Sequence, residues 1–334
     1  MSRTDSDRPA AITAKALAPH QRPHLRRSLL QIADSVLPYI ALWFVMVWSL
    51  QISYWLTLPL TVIAAGFLVR TFIIFHDCGH GSFFRARWAN ELVGFITGVL
   101  TLTPSHEWWR QHAKHHATSG NLDRRGDGDV WTLTVEEYRQ APLWKRVAYW
   151  IVRNPLFMLL VGPVVMFVIL SRIPSKNARR REKLSVLWTN LALAAIVGGL
   201  IWLIGWRAYL MIHLPVTIFS GAMGIMLFYV QHQFDGVYWQ RKDAWDPIAA
   251  AVDGSSYFRL PRVLQWFSGN IGFHHVHHLS ARIPNYFLER CHREHPPLQK
   301  VPTLSLTEAI ACFKYRLWDE KRQRLVSFSE AARS

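Results

Sequence analysis

Residues 36–75 read VLPYIALWFVMVWSLQISYWLTLPLTVIAAGFLVRTFIIF, and this stretch decides the architecture. Forty residues carry one formal charge, Arg70. About 20 helical residues cross a hydrocarbon layer roughly 30 Å thick. The run is therefore too long for one span and fits two, at 36–56 and 57–75, with the bend expected near Thr57 and Pro59. A buried helix in a soluble protein needs polar caps and rarely runs this far. Arg70 lies near the end of the second span, where a long side chain is expected to snorkel to the polar surface.

Working outward, two further apolar runs at 185–206 and 209–230 are separated by Trp206 and Arg207. A weaker run at 92–104 is too short to cross and reads as interfacial or re-entrant. The run at 148–171 is broken by Pro155, Gly162 and Pro163 and reads the same way. As an alternative, these two pair as short spans, which would move 105–146 to the other side. The reading is an all-α integral membrane protein. Four transmembrane helices form two hairpins, joined by interfacial or re-entrant helices and a cytoplasmic helical cap. A basic arm (1–35) precedes the membrane domain (36–300), and a cytoplasmic tail (301–334) follows it.

Composition agrees with this. The 334 residues are 51% hydrophobic and 18% charged, which excludes a disordered chain. Three cysteines exclude a disulfide-stapled scaffold. The formal net charge of +16 leaves nucleic acid, an anionic membrane surface or an acidic partner open. Position decides among them. Residues 1–35 carry six Lys/Arg and three Asp, and 172–183 carry six Lys/Arg and one Glu. Residues 282–324 carry nine Lys/Arg and five Asp/Glu. Short basic segments beside spans stay cytoplasmic, so both termini are placed there. The charge reads as an orienting collar and a docking surface for an acidic partner. No nucleic-acid motif supports the other reading, and no signal peptide is expected.

Nine of the sixteen histidines fall in three clusters: His76-Asp-Cys-Gly-His80, His112-Ala-Lys-His115-His116 and His274-His275-Val-His277-His278. Residues at i, i+3 and i+4 share a helix face. His76 with His80, His112 with His115 and His116, and His274 with His277 and His278 therefore project together. His275 points away as the spare member. Imidazole suits iron, copper, zinc and nickel. Eight imidazoles exceed the needs of one metal and fit two with open positions. A lone H-x-x-x-H is more often a surface pair, but three sets on one membrane face are not explained that way. A non-catalytic metal carrier would place its ligands inside spans or in low-complexity tracts.

At these residues the chain resembles the membrane fatty acid desaturases, which have two membrane hairpins, three histidine boxes and a non-haem di-iron centre. The resemblance covers about 36–300. HDCGHGSFF, HHVHHLSARIPNY and VQHQFDGVYW look most like the acyl-lipid Δ12 (ω6) and ω3 branch. It implies an O2-dependent desaturase that places a cis double bond in a membrane-lipid acyl chain. It implies two Fe as cofactor and O2 as co-substrate. No His-Pro-Gly-Gly motif occurs, so electrons would come from a separate ferredoxin or cytochrome b5. His232, where the fourth span ends, fits the further histidine that the family often carries. The implied metal ligands are His76, His80, His112, His115, His116, His232, His274, His277 and His278. No other catalytic side chain is implied.

Ligand rings need orienting partners. Asp77, Asn121, Asp123 and Asn270 are the candidates, with capping or turn duty as the plain alternative. Asn270 precedes His274 by four residues and is expected on the ligand face. His106 reads as a supporting or structural residue, and His213 as hydrogen-bonded inside its span. His20, His24, His292 and His295 read as ordinary exposed residues, and Cys78 as a small filler. The boxes leave hydroxylation or ketolation of a lipid or carotenoid open as an alternative. They fix neither carbon position nor head group. On a bacterial reading the location is the inner membrane, with the boxes cytoplasmic.

Overall fold

A computed structural model describes residues 14–126 and 128–333. The first part of the basic arm, residues 1–13, lies outside the described residues. The main helices are α1 (Leu25–Leu50), α2 (Tyr54–Gly79), α3 (Arg87–Leu100), α4 (Ser105–Thr118), α5 (Leu143–Val152), α6 (Arg180–Ile204), α7 (Trp206–His232), α8 (His274–Leu279) and α9 (Asn285–Glu294). Among the described residues, α1, α2, α6 and α7 are long and apolar enough to cross a membrane. A helix satisfies its own backbone groups, which a chain in hydrocarbon must do.

The four spans are those the apolar runs announce, with shifted ends. Helix α1 begins at Leu25, because polar residues continue its hydrogen bonding below the apolar run. The bend between α1 and α2 falls at 51–53, not at Thr57 and Pro59. Ser53 ends the turn, its hydroxyl accepting from the Trp55 N–H at 3.3 Å. Thr57 instead binds Ser49 across the hairpin, hydroxyl to hydroxyl at 2.7 Å. Pro59 sits inside α2 near its start and does not end it. Helices α6 and α7 part at the single residue Gly205, whose φ of +82° suits glycine.

Arg70 does not snorkel. It is buried, and its Nε lies 3.3 Å from Asp34 on α1. The early start of α1 brings that carboxylate within reach, so the charge is paired inside the fold.

The described chain forms two compact units. The span unit comprises His24–His112 and Trp144–Phe228. Its core packs Tyr39 and Met46 of α1, Ala64 and Leu68 of α2, and Ile212 and Val216 of α7. Outward-facing Trp55 and Trp202 are 77% and 85% exposed, as expected of side chains that meet lipid rather than water. Helix α5 and the helical segment Phe157–Arg172 meet at a 69° bend around Pro155, matching the broken stretch in the sequence.

Helix α3 has 14 residues and does not span. Trp88, Leu92 and Ile96 form its exposed apolar stripe, while Ala89, Gly94, Thr97 and Gly98 face inward. The small inner face admits Trp109. A Cβ on Gly94 would lie 2.4 Å from that indole, and a Cβ on Gly79 would lie 2.3 Å from it. The indole N–H donates to the Phe75 carbonyl at 3.2 Å. Gly94→Ala therefore displaces Trp109 and the helix that carries His112. We expect about 1–3 kcal/mol of destabilisation, read as a lower midpoint in detergent thermal unfolding.

The mixed unit contains 113–143 and 229–333, together with the described residues up to Pro23. It holds α8 and α9 and five short strands that the all-helical sequence reading does not include. These are β1 (Leu133–Thr134), β2 (Tyr257–Phe258), β3 (Thr303–Leu304), β4 (Leu317–Asp319) and β5 (Arg324–Val326). One sheet has the order β1-β4-β5, and β2 pairs with β3. Each strand is two or three residues long. Such short strands leave no periodic pattern in a sequence.

Candidate metal centre

In the mixed unit, four histidines arrive from three elements. His115 lies on α4, His232 ends α7, and His274 and His278 lie on α8. One donor nitrogen from each falls within 4.8 Å of the other three. His232 Nε2 is 3.2 Å from His115 Nε2 and 2.9 Å from His274 Nε2, and His278 Nε2 is 3.1 Å from His274 Nε2.

The opposite ring nitrogens explain why these atoms converge. His115 Nδ1 donates to Asp129 Oδ1 at 2.5 Å, and His232 Nδ1 donates to the Gly254 carbonyl at 3.1 Å. Both partners are acceptors, so each Nδ1 carries a proton, which leaves Nε2 as the lone-pair atom of the metal-binding tautomer. Two Nε2 lone pairs then face one another with no hydrogen between them. A cation at that point turns mutual repulsion into coordination. Burial also pushes the His278 pKa well below its usual value, aided by the neighbouring His116, His274, His232 and His115. Neutral imidazole is the form that binds metal.

The flanking residues fix the donors. Gln231 and Gln233 bracket His232 and are both buried. Gln231 Nε2 donates to the Ile271 carbonyl at 2.8 Å, tying the end of α7 to the loop that enters α8. Gln233 Nε2 donates to the Thr132 hydroxyl at 3.1 Å. In the same unit His116 and His277 meet at 2.9 Å, Nε2 to Nε2. His275, the spare member, turns away and pairs with His292 Nδ1 at 3.1 Å.

In the span unit, His76, His80 and His112 form a second set, with ring centroids 4.7 to 5.0 Å apart. Asp77 Oδ1 accepts from His76 Nδ1 at 3.0 Å, so this carboxylate stands where an orienting group belongs. Trp108 stacks on His112 at 4.3 Å and walls the set with indole.

The other proposed orienting groups lie elsewhere. Asn270 has φ +61° and sits in the turn before α8, where its side-chain oxygen accepts from Gln265 Nε2 at 3.3 Å. Helix α8 begins only at His274, so Asn270 gains no helical register with it. Asn121 accepts from the Asp123 N–H in a turn. Asp123 binds Arg241 Nη1 at 2.6 Å and the Lys242 N–H at 2.8 Å. His106 pairs with Glu91 at 3.0 Å, and His213 meets the Thr217 hydroxyl at 3.4 Å. His20 is buried against Glu294, and His292 and His295 are half-buried rather than exposed. Sequence reasoning missed Asp129 and the Gly254 carbonyl. Asp129 lies fourteen residues beyond His115 in a loop, where no helical spacing advertises it.

Comparison with known proteins agrees with this chemistry. Residues 53–306 match the family described as Fatty acid desaturase. The chain is 48% identical to the fatty acid desaturase of Bacillus subtilis (strain 168), over 94% of this chain and 89% of that one. It is 30% identical to the sn-1 oleoyl-lipid 12-desaturase of Synechocystis, over 71% and 68% of the two chains. The sn-1 acyl-lipid omega-3 desaturase (ferredoxin) of Nostoc is 28% identical over 85% and 78%.

Proposed function

The chain belongs to the fatty acid desaturase family, and on that premise we propose an O2-dependent enzyme that forms a cis double bond in a membrane-lipid acyl chain. Two non-haem irons are the proposed cofactor. His115, His232, His274 and His278 would hold one. His76, His80 and His112 would serve the other, and His116 and His277 complete the implied ligand set. The observation that carries the reading is the convergence of donor nitrogens from His115, His232, His274 and His278, with the Nδ1 protons of His115 and His232 held elsewhere.

Bound iron supplies the O2-derived oxidising power that an unactivated methylene demands and that no side chain provides. The chain's own residues do the rest. Asp129, the Gly254 carbonyl and Asp77 fix ring tautomers. Trp108 keeps one face of His112 dry. Overall, two hydrogens leave adjacent carbons and O2 is reduced to two waters. Two electrons from a separate carrier and two protons complete the balance. A ferredoxin-type or cytochrome b5-type protein is the proposed donor; ferredoxin is named for the Nostoc relative. The basic segments 172–183 and 282–324 support a cytoplasmic placement of the boxes and both termini.

The test is expression in a host without desaturases, followed by gas chromatography–mass spectrometry of its acyl chains. A new double bond is expected, and it disappears in His116→Ala. Hydroxylated or keto products with no new double bond would overturn desaturation in favour of oxygen insertion.

A further inference from the structure

Beside the first histidine box, the span unit contains a cavity of about 400 Å³. We propose that it seats the phosphate of a membrane phospholipid whose own acyl chain is the substrate; this rests on the desaturase reading above.

Its walls mix one metal-type histidine with a cationic rim. Gly79, His80 and Gly81 come from the end of α2, and Arg85 from the turn before α3. Arg87 and Glu91 come from α3, Trp109 from α4, and Arg181 from the first turn of α6. Three guanidinium groups face one carboxylate. Glu91 binds Arg181 at 2.6 Å and His106 at 3.0 Å, and Arg87 at 3.8 Å. Arg85 makes no ion pair among the described residues and is exposed. The pocket therefore has two positive charges in excess. Helix α3 starts at the same rim, and no side chain caps its first N–H groups. Guanidinium forks and an uncapped N-terminus both favour a phosphate.

The level of the cavity identifies the phosphate's source. It gathers residues from the ends of two candidate spans, α2 ending at Gly79 and α6 beginning at Arg180. That is where a bilayer holds its head groups. The stripe of Trp88, Leu92 and Ile96 runs along α3 and is 49–71% exposed. Fatty chains can lie on such a face while the head group meets the arginines. His80 lines the same cavity as the arginines. The cavity has the size of small-molecule sites rather than of protein interfaces.

The full-length, iron-loaded protein is purified in detergent and offered phosphatidylglycerol or a galactolipid with the same acyl chains. Native mass spectrometry reads which lipid stays bound. Phosphatidylglycerol retention is expected, falling about tenfold in Arg85→Gln and in Arg181→Gln, as for loss of one charge-assisted contact. In vesicles containing phosphatidylglycerol, the KM of these variants rises while iron content stays at the wild-type level. Equal retention of both lipids, or unchanged variants, would overturn the proposal. So would displacement of the lipid by inorganic phosphate together with turnover of a soluble acyl thioester. Normal lipid retention with loss of turnover only when the electron-carrier protein is supplied would reassign the patch to carrier docking. If wild-type protein desaturates no lipid at all, the functional reading fails, and the retention measurement still judges the pocket.

Discussion

His232→Ala removes about half of the bound iron and all measurable desaturation, since one metal loses a donor that no neighbour replaces. The side chain is 5% exposed, and its Nε2 lies within 3.2 Å of two other donors. The flanking Gln231 and Gln233 are already committed to Ile271 and Thr132. Iron per chain, measured on purified protein by plasma mass spectrometry, is the primary readout, with host acyl-chain analysis beside it. Full iron and retained product would remove His232 from the ligand set. Asn270→Gly is the contrasting control. That position needs a left-handed backbone and lies in a turn, so glycine preserves it and iron content stays near wild type.

Asp129→Ala is expected to weaken iron binding by about 10–100-fold without removing any ligand. The carboxylate holds the His115 Nδ1 proton. Without it the ring is free to rotate or to move its proton to Nε2, the atom that must coordinate. Asp129→Asn keeps an acceptor oxygen and should lose less. Competition against a calibrated chelator measures both variants. Identical affinity in wild type and Asp129→Ala would show that the carboxylate has no orienting role. The order alanine below asparagine below wild type separates orientation from a simple loss of charge.

Much of this site is local and therefore legible in one dimension. The i, i+3, i+4 spacing of His112, His115 and His116 places them on one helix before anything is known of the fold, and α4 carries all three. The apolar run at 36–75 announces a hairpin because its length exceeds one span. Its turn was also marked in the sequence, by Gln51 and Ser53 rather than by the proline. Proline near a helix start is tolerated, whereas a serine can cap. Asn270 shows the opposite failure. A four-residue offset predicts a shared face only if the helix extends that far, and α8 is six residues long.

Sequence alone determined the four candidate spans, the three sets of imidazoles and the class of chemistry, because apolar length and helical spacing are properties of neighbouring residues. Tertiary structure alone decided which imidazoles share a point in space and which groups hold their protons. His232 reaches His115 across 117 positions of the chain, and Gly254 and Asp129 arrive from separate loops. Tertiary structure also turned Arg70 from a snorkelling side chain into the partner of Asp34. Contacts of that range are set by how helices and loops pack, and packing leaves no period in the sequence to read.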